Sequence, residues 1–132
     1  MRTVRAVDAR RFRDLLETVS GAWNEGDTSR ALACFSDDAR YTEPPDVQHY
    51  EGRDALFAFF GCDDPPPMSM AWHTIVFDED QQMGAAEYTY RGTNTYHGVV
   101  VIRLRDDQIA NWREHQQRSD LDWDEFTELN PF

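Results

Sequence analysis

Apolar residues repeat with two different periods along this chain. Early on, Phe12, Leu15, Leu16, Val19 and Trp23 recur every three or four residues. That stripe predicts a helix from about Val7 to Asn24 with one face toward a core. Glu25-Gly26 ends it. Asp27 or Thr28 then caps a short second helix, with Leu32 and Phe35 on its inner face. Gly52-Arg53-Asp54 opens a third, through about Phe60, packed by Leu56, Phe57, Phe59 and Phe60. From Met83 to Gln117 the period drops to two. Three runs rich in Tyr, Val, Ile, Thr and Trp are broken by Arg91-Gly92-Thr93-Asn94 and by Arg105-Asp106-Asp107-Gln108. Connections this short predict an antiparallel meander, because parallel neighbours need a long crossover. In the middle run Tyr96, Gly98, Val100, Ile102 and Leu104 point one way, and His97, Val99, Val101, Arg103 and Arg105 the other. Both sets hold apolar residues. One face therefore suits the chain's own helices and the other suits a second subunit.

The intervening segments fill in the order. Ser36-Asp37-Asp38 reads as a turn, and Ala39 to Glu43 as a short strand stopped by Pro44-Pro45. Asp46 to Glu51 reads as a loop and Cys62 to Pro67 as a proline-rich break. Met68 to Asp78 is a long strand, Glu79 to Gln82 its turn into the meander, and Leu121 to Phe126 a short terminal helix. Helices followed by a mainly antiparallel sheet predict an α+β fold, with the helices on one face of a strongly curved sheet. Such a sheet wrapped on a helix leaves a cone whose open mouth suits a small ligand.

Length and charge narrow the function. A chain of 132 residues fits a single domain, residues 1–132, with a proper core. Asp and Glu number 25 against 13 Lys and Arg, a net charge of −12. That balance disfavours nucleic acid and anionic membrane surfaces as partners. No apolar run is long enough to span a bilayer. MRTVRAVDARRF lacks the apolar stretch of a secretory signal. Cys34 and Cys62 have no metal-ligand spacing, and two free thiols in a reducing cytoplasm is the expectation.

Chemistry-bearing residues are sparse. His49, His73, His97 and His115 show no H-x-x-x-H or C-x-x-C spacing, so no metal is expected. His73 lies mid-strand beside Trp72, which fits a proton shuttle or a hydrogen-bonded structural histidine. There is no phosphate-binding glycine loop, nucleophile elbow or dinucleotide fingerprint, and no cofactor is expected. Trp23, Tyr41, Phe57, Tyr88, Tyr90 and Trp112 can line a pocket for a flat apolar or aromatic ligand, or simply fill the core. Tyr88 and Tyr90 share one face and Glu87 the other, and the pattern leaves open which is inside.

An ordered series of markers covers nearly the whole chain. It comprises Trp23-Asn24-Glu25-Gly26-Asp27, Cys34-Phe35-Ser36-Asp37-Asp38-Ala39, Glu43-Pro44, Glu51-Gly52-Arg53, Gly98 to Leu104 and Ile109 to Trp112. In that order they resemble the NTF2-like (cystatin-like) superfamily, and its SnoaL-like branch most. The resemblance implies the cone-shaped fold. It does not fix a reaction, since the superfamily includes polyketide cyclases, ketosteroid isomerases, dehydratases, epoxide hydrolases and non-catalytic binding or dimerisation modules.

Set against ketosteroid isomerases, Glu43-Pro44 stands where that family has an aspartate base followed by proline. The tyrosine and the protonated aspartic acid of the oxyanion hole match Val19 and Val100, so both donors are missing and steroid isomerisation is not expected. The same resemblance turns Trp112, Glu114 and Gln116 inward, provided a bulge follows Ile109. Glu43 and Glu114 would then share one apolar cavity, where two carboxylates cannot both ionise cheaply. Such a pair fits acid/base work in elimination, cyclisation or hydration. The alternative is an ion-paired Glu114 and a solvated Glu43. The resulting expectation is a small-molecule pocket protein, as a cofactor-independent lyase, cyclase or isomerase, or else a non-catalytic module. Catalytic candidates are Glu43, Glu114 and His73. Binding candidates are Trp23, Tyr41, Phe57, Tyr88, Val100, Trp112 and Gln116. The resemblance also implies a two-fold homodimer through the outer sheet face at His97, Val99 and Val101. Trp123 and Phe126 would then seal the partner's sheet or close the chain's own cone.

Overall fold

The computed structural model describes residues 6–132; the reading of Met1 to Arg5 lies outside them. Helix α1 (Ala9–Asn24) starts where Asp8 accepts a hydrogen bond from the Arg11 amide at 2.8 Å, and it buries the Phe12, Leu15, Leu16, Val19 and Trp23 stripe. Gly26, at φ +71°, turns the chain out of it. Helix α2 (Thr28–Leu32) is capped by Asp27 through the Arg30 amide. Strand β1 (Phe35–Thr42) and the short β2 (His49–Glu51) precede α3 (Arg53–Phe59). Four long strands follow before the four-residue α4 (Trp123–Phe126): β3 (Ser69–Asp78), β4 (Met83–Arg91), β5 (Thr95–Arg105) and β6 (Gln108–Arg118).

The six strands form one curled, open sheet in the order β2-β1-β6-β5-β4-β3. Every pairing is antiparallel except β1 with β6. The α+β expectation and the meander hold. The β5–β6 turn works because Asp106 and Asp107 take φ +52° and +69°, the backbone that a two-residue hairpin turn demands. The core lies between α1 and the sheet's concave face, where Leu16, Val19, Val100, Ile102 and Ile109 are fully buried.

Four local expectations fail. Ser36-Asp37-Asp38 is not a turn but part of β1, and Phe35 is a strand residue paired with Ile109 rather than a face of α2. Asp37 and Asp38 look turn-like because they are charged; they are tolerated in a strand because both point to solvent and meet Arg53 and Arg105. The Asp46–Glu51 loop holds β2, whose three residues are too few to show a period. In α3 only Leu56 is fully buried, with Phe59 and Phe60 beside it at helical spacing. Phe57 sits about 100° away around the helix and stays outside the core.

Candidate functional site

The concave side of the sheet is not filled by its own side chains. A cavity of about 370 Å³ opens between α1, α3 and the ends of β1, β3, β4, β5 and β6. Its wall includes Trp23, Tyr41, Glu43, Tyr88, Glu114 and Gln116.

A bulge sets up this constellation. Arg103 pairs with Asn111 but Leu104 pairs with Ile109, so Ala110 is an extra residue in β6. Ile109 and Ala110 are both buried, and beyond them Trp112 and Glu114 turn inward while Arg113 and His115 turn out. Glu114 is 3% exposed and forms no ion pair among the described residues. Three donors hold it instead. Tyr88 Oη donates to Oε2 at 2.5 Å, Trp112 Nε1 to Oε1 at 2.5 Å, and Tyr41 Oη to Oε1 at 2.7 Å. Tyr41 arrives there because it is Trp112's register partner, and the two rings stack with centroids 5.5 Å apart at 8°. Tyr88 lies opposite Gly98. A Cβ on Gly98 would stand 2.7 Å from the Tyr88 hydroxyl, so only glycine leaves that hydroxyl room to reach Glu114. Tyr88 and Tyr90 therefore belong to the inner side, and Glu87 to the outer.

Glu43 follows β1 directly, ahead of Pro44, and its Oε2 lies 3.1 Å from the same Tyr41 hydroxyl. Tyr41 has one proton to donate. Its shorter contact is to Glu114, so Glu43 meets it as the protonated partner. The electrostatics agree. Burial, then the neighbouring Glu114 charge, pushes Glu43 up to about 8. Burial pushes Glu114 up as well, and its donors, Tyr88 first, oppose that. We place the proton on Glu43 and the charge on Glu114, because an ionised carboxylate can accept all three donors. Burial and the carboxylates raise the Tyr41 and Tyr88 hydroxyls above the ordinary phenol range, so both remain donors. At neutral pH the pair thus holds one proton between two carboxyls.

Glu43, Glu114, Trp23, Tyr41, Tyr88 and Gln116 come together at the cavity. Trp112 backs it by orienting Glu114. Val100 is fully buried beneath it, paired with Glu114 across the ladder. Phe57 does not join; Phe59 and Phe60 line the wall in its place. His73 does not join either. It is the extra residue of a bulge in β3, stacks on Trp123 at 4.0 Å, and its Nε2 lies 2.7 Å from Thr89 Oγ1 on the outer face. Tyr90, one of the aromatic candidates, lines the wall, whereas Tyr96, Met68 and Met70 were missed as lining residues. Tyr96 shares the inward set with Gly98, and the Tyr90–Tyr96 pairing would have exposed it. Trp23 Nε1 is buried with no hydrogen-bond partner among the described residues. No group of three or more His, Cys, Asp or Glu side chains among the described residues is placed to hold a metal.

Comparison with known proteins agrees with this architecture. The family model described as "SnoaL-like domain" matches residues 12–112, and the chain belongs to that family. No curated protein matches. Solved structures match in fold. One is a protein of unknown function with a cystatin-like fold from Methylobium petroleophilum PM1, at TM-score 0.75 and 15% identity, covering 90% of this chain and 84% of that one. Another is SalBIII, an epoxide hydrolase/cyclase-like enzyme of pyran ring formation in the polyether salinomycin, at TM-score 0.74 and 17% identity over 83% and 93%. A third is an LEH-like epoxide hydrolase of M. tuberculosis, at TM-score 0.71 and 16% identity over 83% and 84%.

Proposed function

We propose that this protein is a cofactor-independent proton-transfer enzyme acting on a neutral, largely apolar small molecule, of the isomerase, cyclase or dehydratase kind. The observation that carries the reading is the meeting of Glu43 and Glu114 at one tyrosine hydroxyl inside an open cavity. Glu43, protonated near neutral pH, is the acid that protonates a ligand oxygen. The pair then recovers a proton from the ligand's neighbouring carbon, so one proton is given and one taken back per turnover. Burial, and then the Glu114 charge, keeps Glu43 protonated, with Tyr41 linking the two carboxyls. The ligand is neutral because the cavity already contains a carboxylate that no cation pairs with among the described residues. His73, remote from the cavity, has no part in this reading. A cavity flanked by both carboxylates favours an enzyme over a non-catalytic module, whose cone would be filled.

The test is a carboxyl NMR titration of the wild type and of Glu114→Gln. Glu43 should titrate near 8 in the wild type, and its pKa should fall when the neighbouring charge is removed. Titration of Glu43 in the ordinary carboxylate range would end the proposal.

We further infer a two-fold homodimer through the outer sheet face, supported by half-exposed Val99 and Val101 and by Val76 at 58% exposure. No helix among the described residues is long and apolar enough to cross a membrane. The two cysteines are free, which supports a cytoplasmic setting.

A further inference from the structure

The outer sheet face has a knob at one end and a hole at the other. At the start of β5, α4 lies on the chain's own sheet. Trp123 stacks on His73, Phe126 packs on His97 at 4.4 Å, and His97 Nε2 donates to the Leu121 carbonyl at 2.8 Å. Trp123 and Phe126 thus cover this chain's outer face; they do not close its cone. The segment carrying this knob is strongly acidic. Asp120, Asp122, Asp124, Glu125 and Glu128 follow Arg118 with no cation among them. It also bares large apolar side chains, Leu129 at 99% exposure and Phe132 at 94%.

The hole lies six residues further along β5, about 20 Å away at the rise of a strand. It is a groove of about 400 Å³ lined by Arg40, His49, Met83, Val101, Arg103 and Arg113. In a chain of net charge −12 this is a concentration of cations. Arg40 meets Glu51 at 3.4 Å, but Arg103 and Arg113 form no ion pair among the described residues. The knob leans toward β4 and β3, and the hole toward β6 and β1, so the two lie at opposite ends of a diagonal across the face.

We propose that the acidic 120–132 segment of one copy docks in the arginine-lined groove of a second copy. A two-fold axis near Val99 and Val101 sends each knob onto the other copy's hole, so both contacts form in one closed pair. Glu125 in α4 and Glu128 in the turn that follows it, both exposed, face Arg103 and Arg113. Leu129 and Phe132 then cover Val101 and Met83. The inference rests on the outer-face dimer proposed above and specifies its pairing; it is independent of the cavity chemistry.

A charge-swap experiment tests it by sedimentation velocity. One variant reverses the groove (Arg103→Glu with Arg113→Glu) and the other reverses the knob (Glu125→Arg with Glu128→Arg). All four residues are exposed, so circular dichroism should match the wild type. Each variant alone should dimerise at least about 30-fold more weakly than the wild type, since like charges then face each other twice. An equimolar mixture should form a 1:1 pair within about threefold of wild-type affinity, because both contacts are again opposite in sign. Variants that dimerise normally, or a mixture that stays monomeric, would overturn the pairing. If Val101→Glu breaks the dimer while the charge variants do not, the outer-face dimer stands and this pairing is wrong. A wild type that is monomeric at 100 μM, a concentration on the order of a weak protein–protein Kd, removes both.

Discussion

Strands β4 and β5 have a buried polar network on each of their two faces. On the inner face, Tyr88 and its neighbours converge on Glu114, and the network opens through Glu43 into a cavity. On the outer face, His73, Thr89 and His97 form a chain that ends at the Leu121 carbonyl. That carbonyl can only accept, so His97 Nε2 bears the proton, its Nδ1 accepts from Thr89, and Thr89 accepts from His73. Burial, then the adjacent His97, lowers the His73 pKa. Each donor in the outer chain has its acceptor, and Trp123 and Phe126 lie over it as a lid of the chain's own making. The inner network contains charge with no ion-pair partner among the described residues, and a proton that two carboxyls share. Histidines are the customary suspects for catalysis, yet here they hold a terminal segment in place. The difference between the two networks lies in access to a cavity and in unbalanced charge, rather than in residue type.

The largest expected effect is on the inner side. Glu114→Leu strips the common acceptor from Tyr88, Trp112 and Tyr41 and should destabilise the fold by about 5 kcal/mol, measured by urea denaturation. A loss below about 1 kcal/mol would show that those donors find other partners.

The pH dependence should be smaller and has a definite sign. Glu43's folded pKa of about 8 lies above its value in the unfolded chain, so its contribution is fully present below about 4.5 and lost as pH rises to 8. Stability should fall by roughly 3 kcal/mol between pH 5 and pH 8. Glu43→Gln, which mimics the protonated acid, should flatten that slope. A slope unchanged in the variant would assign it to another group.

On the outer side, Thr89→Val deletes the hydroxyl that joins the two histidines. It should cost about 1.5 kcal/mol and leave the Glu43 titration untouched, because the two networks share strands but no hydrogen bond. Movement of that titration would mean the faces are coupled. Smallest in stability, within about 0.5 kcal/mol, should be Val99→Glu or Val101→Glu, whose side chains lie outside the core. Their effect belongs instead to assembly, as loss of the dimer in sedimentation at micromolar protein.

Much of this was legible in the sequence. The α1 stripe, the meander and both of its turns rest on local periodicity, and the structure places them where the pattern does. What escaped was whatever depends on phase or on distance. Phe57 and Phe59 are indistinguishable by composition, and only the rotation of α3 chooses between them. The face of Tyr88 is decided by its pairing with Gly98, a contact between strands that no single run reveals. Glu114's inward aim needed a bulge that Ile109-Ala110-Asn111 does not announce, and the family resemblance supplied it. The terminal helix was visible from Trp123 and Phe126, but its resting place on the outer face was not, since four residues define a side without naming a partner.

The Ala110 bulge has a consequence for anyone redesigning this protein. Because strand side chains alternate, the extra residue works like a frame shift in the pleat. The shift lies in the sequence count and not in the ladder: deleting Ala110 would leave Asn111 opposite Arg103 and Trp112 opposite Ile102, with Glu114 still facing the cavity. The bulge is therefore slack in the strand, and a variant shortened by that one residue should keep the aim of the site on a straighter β6.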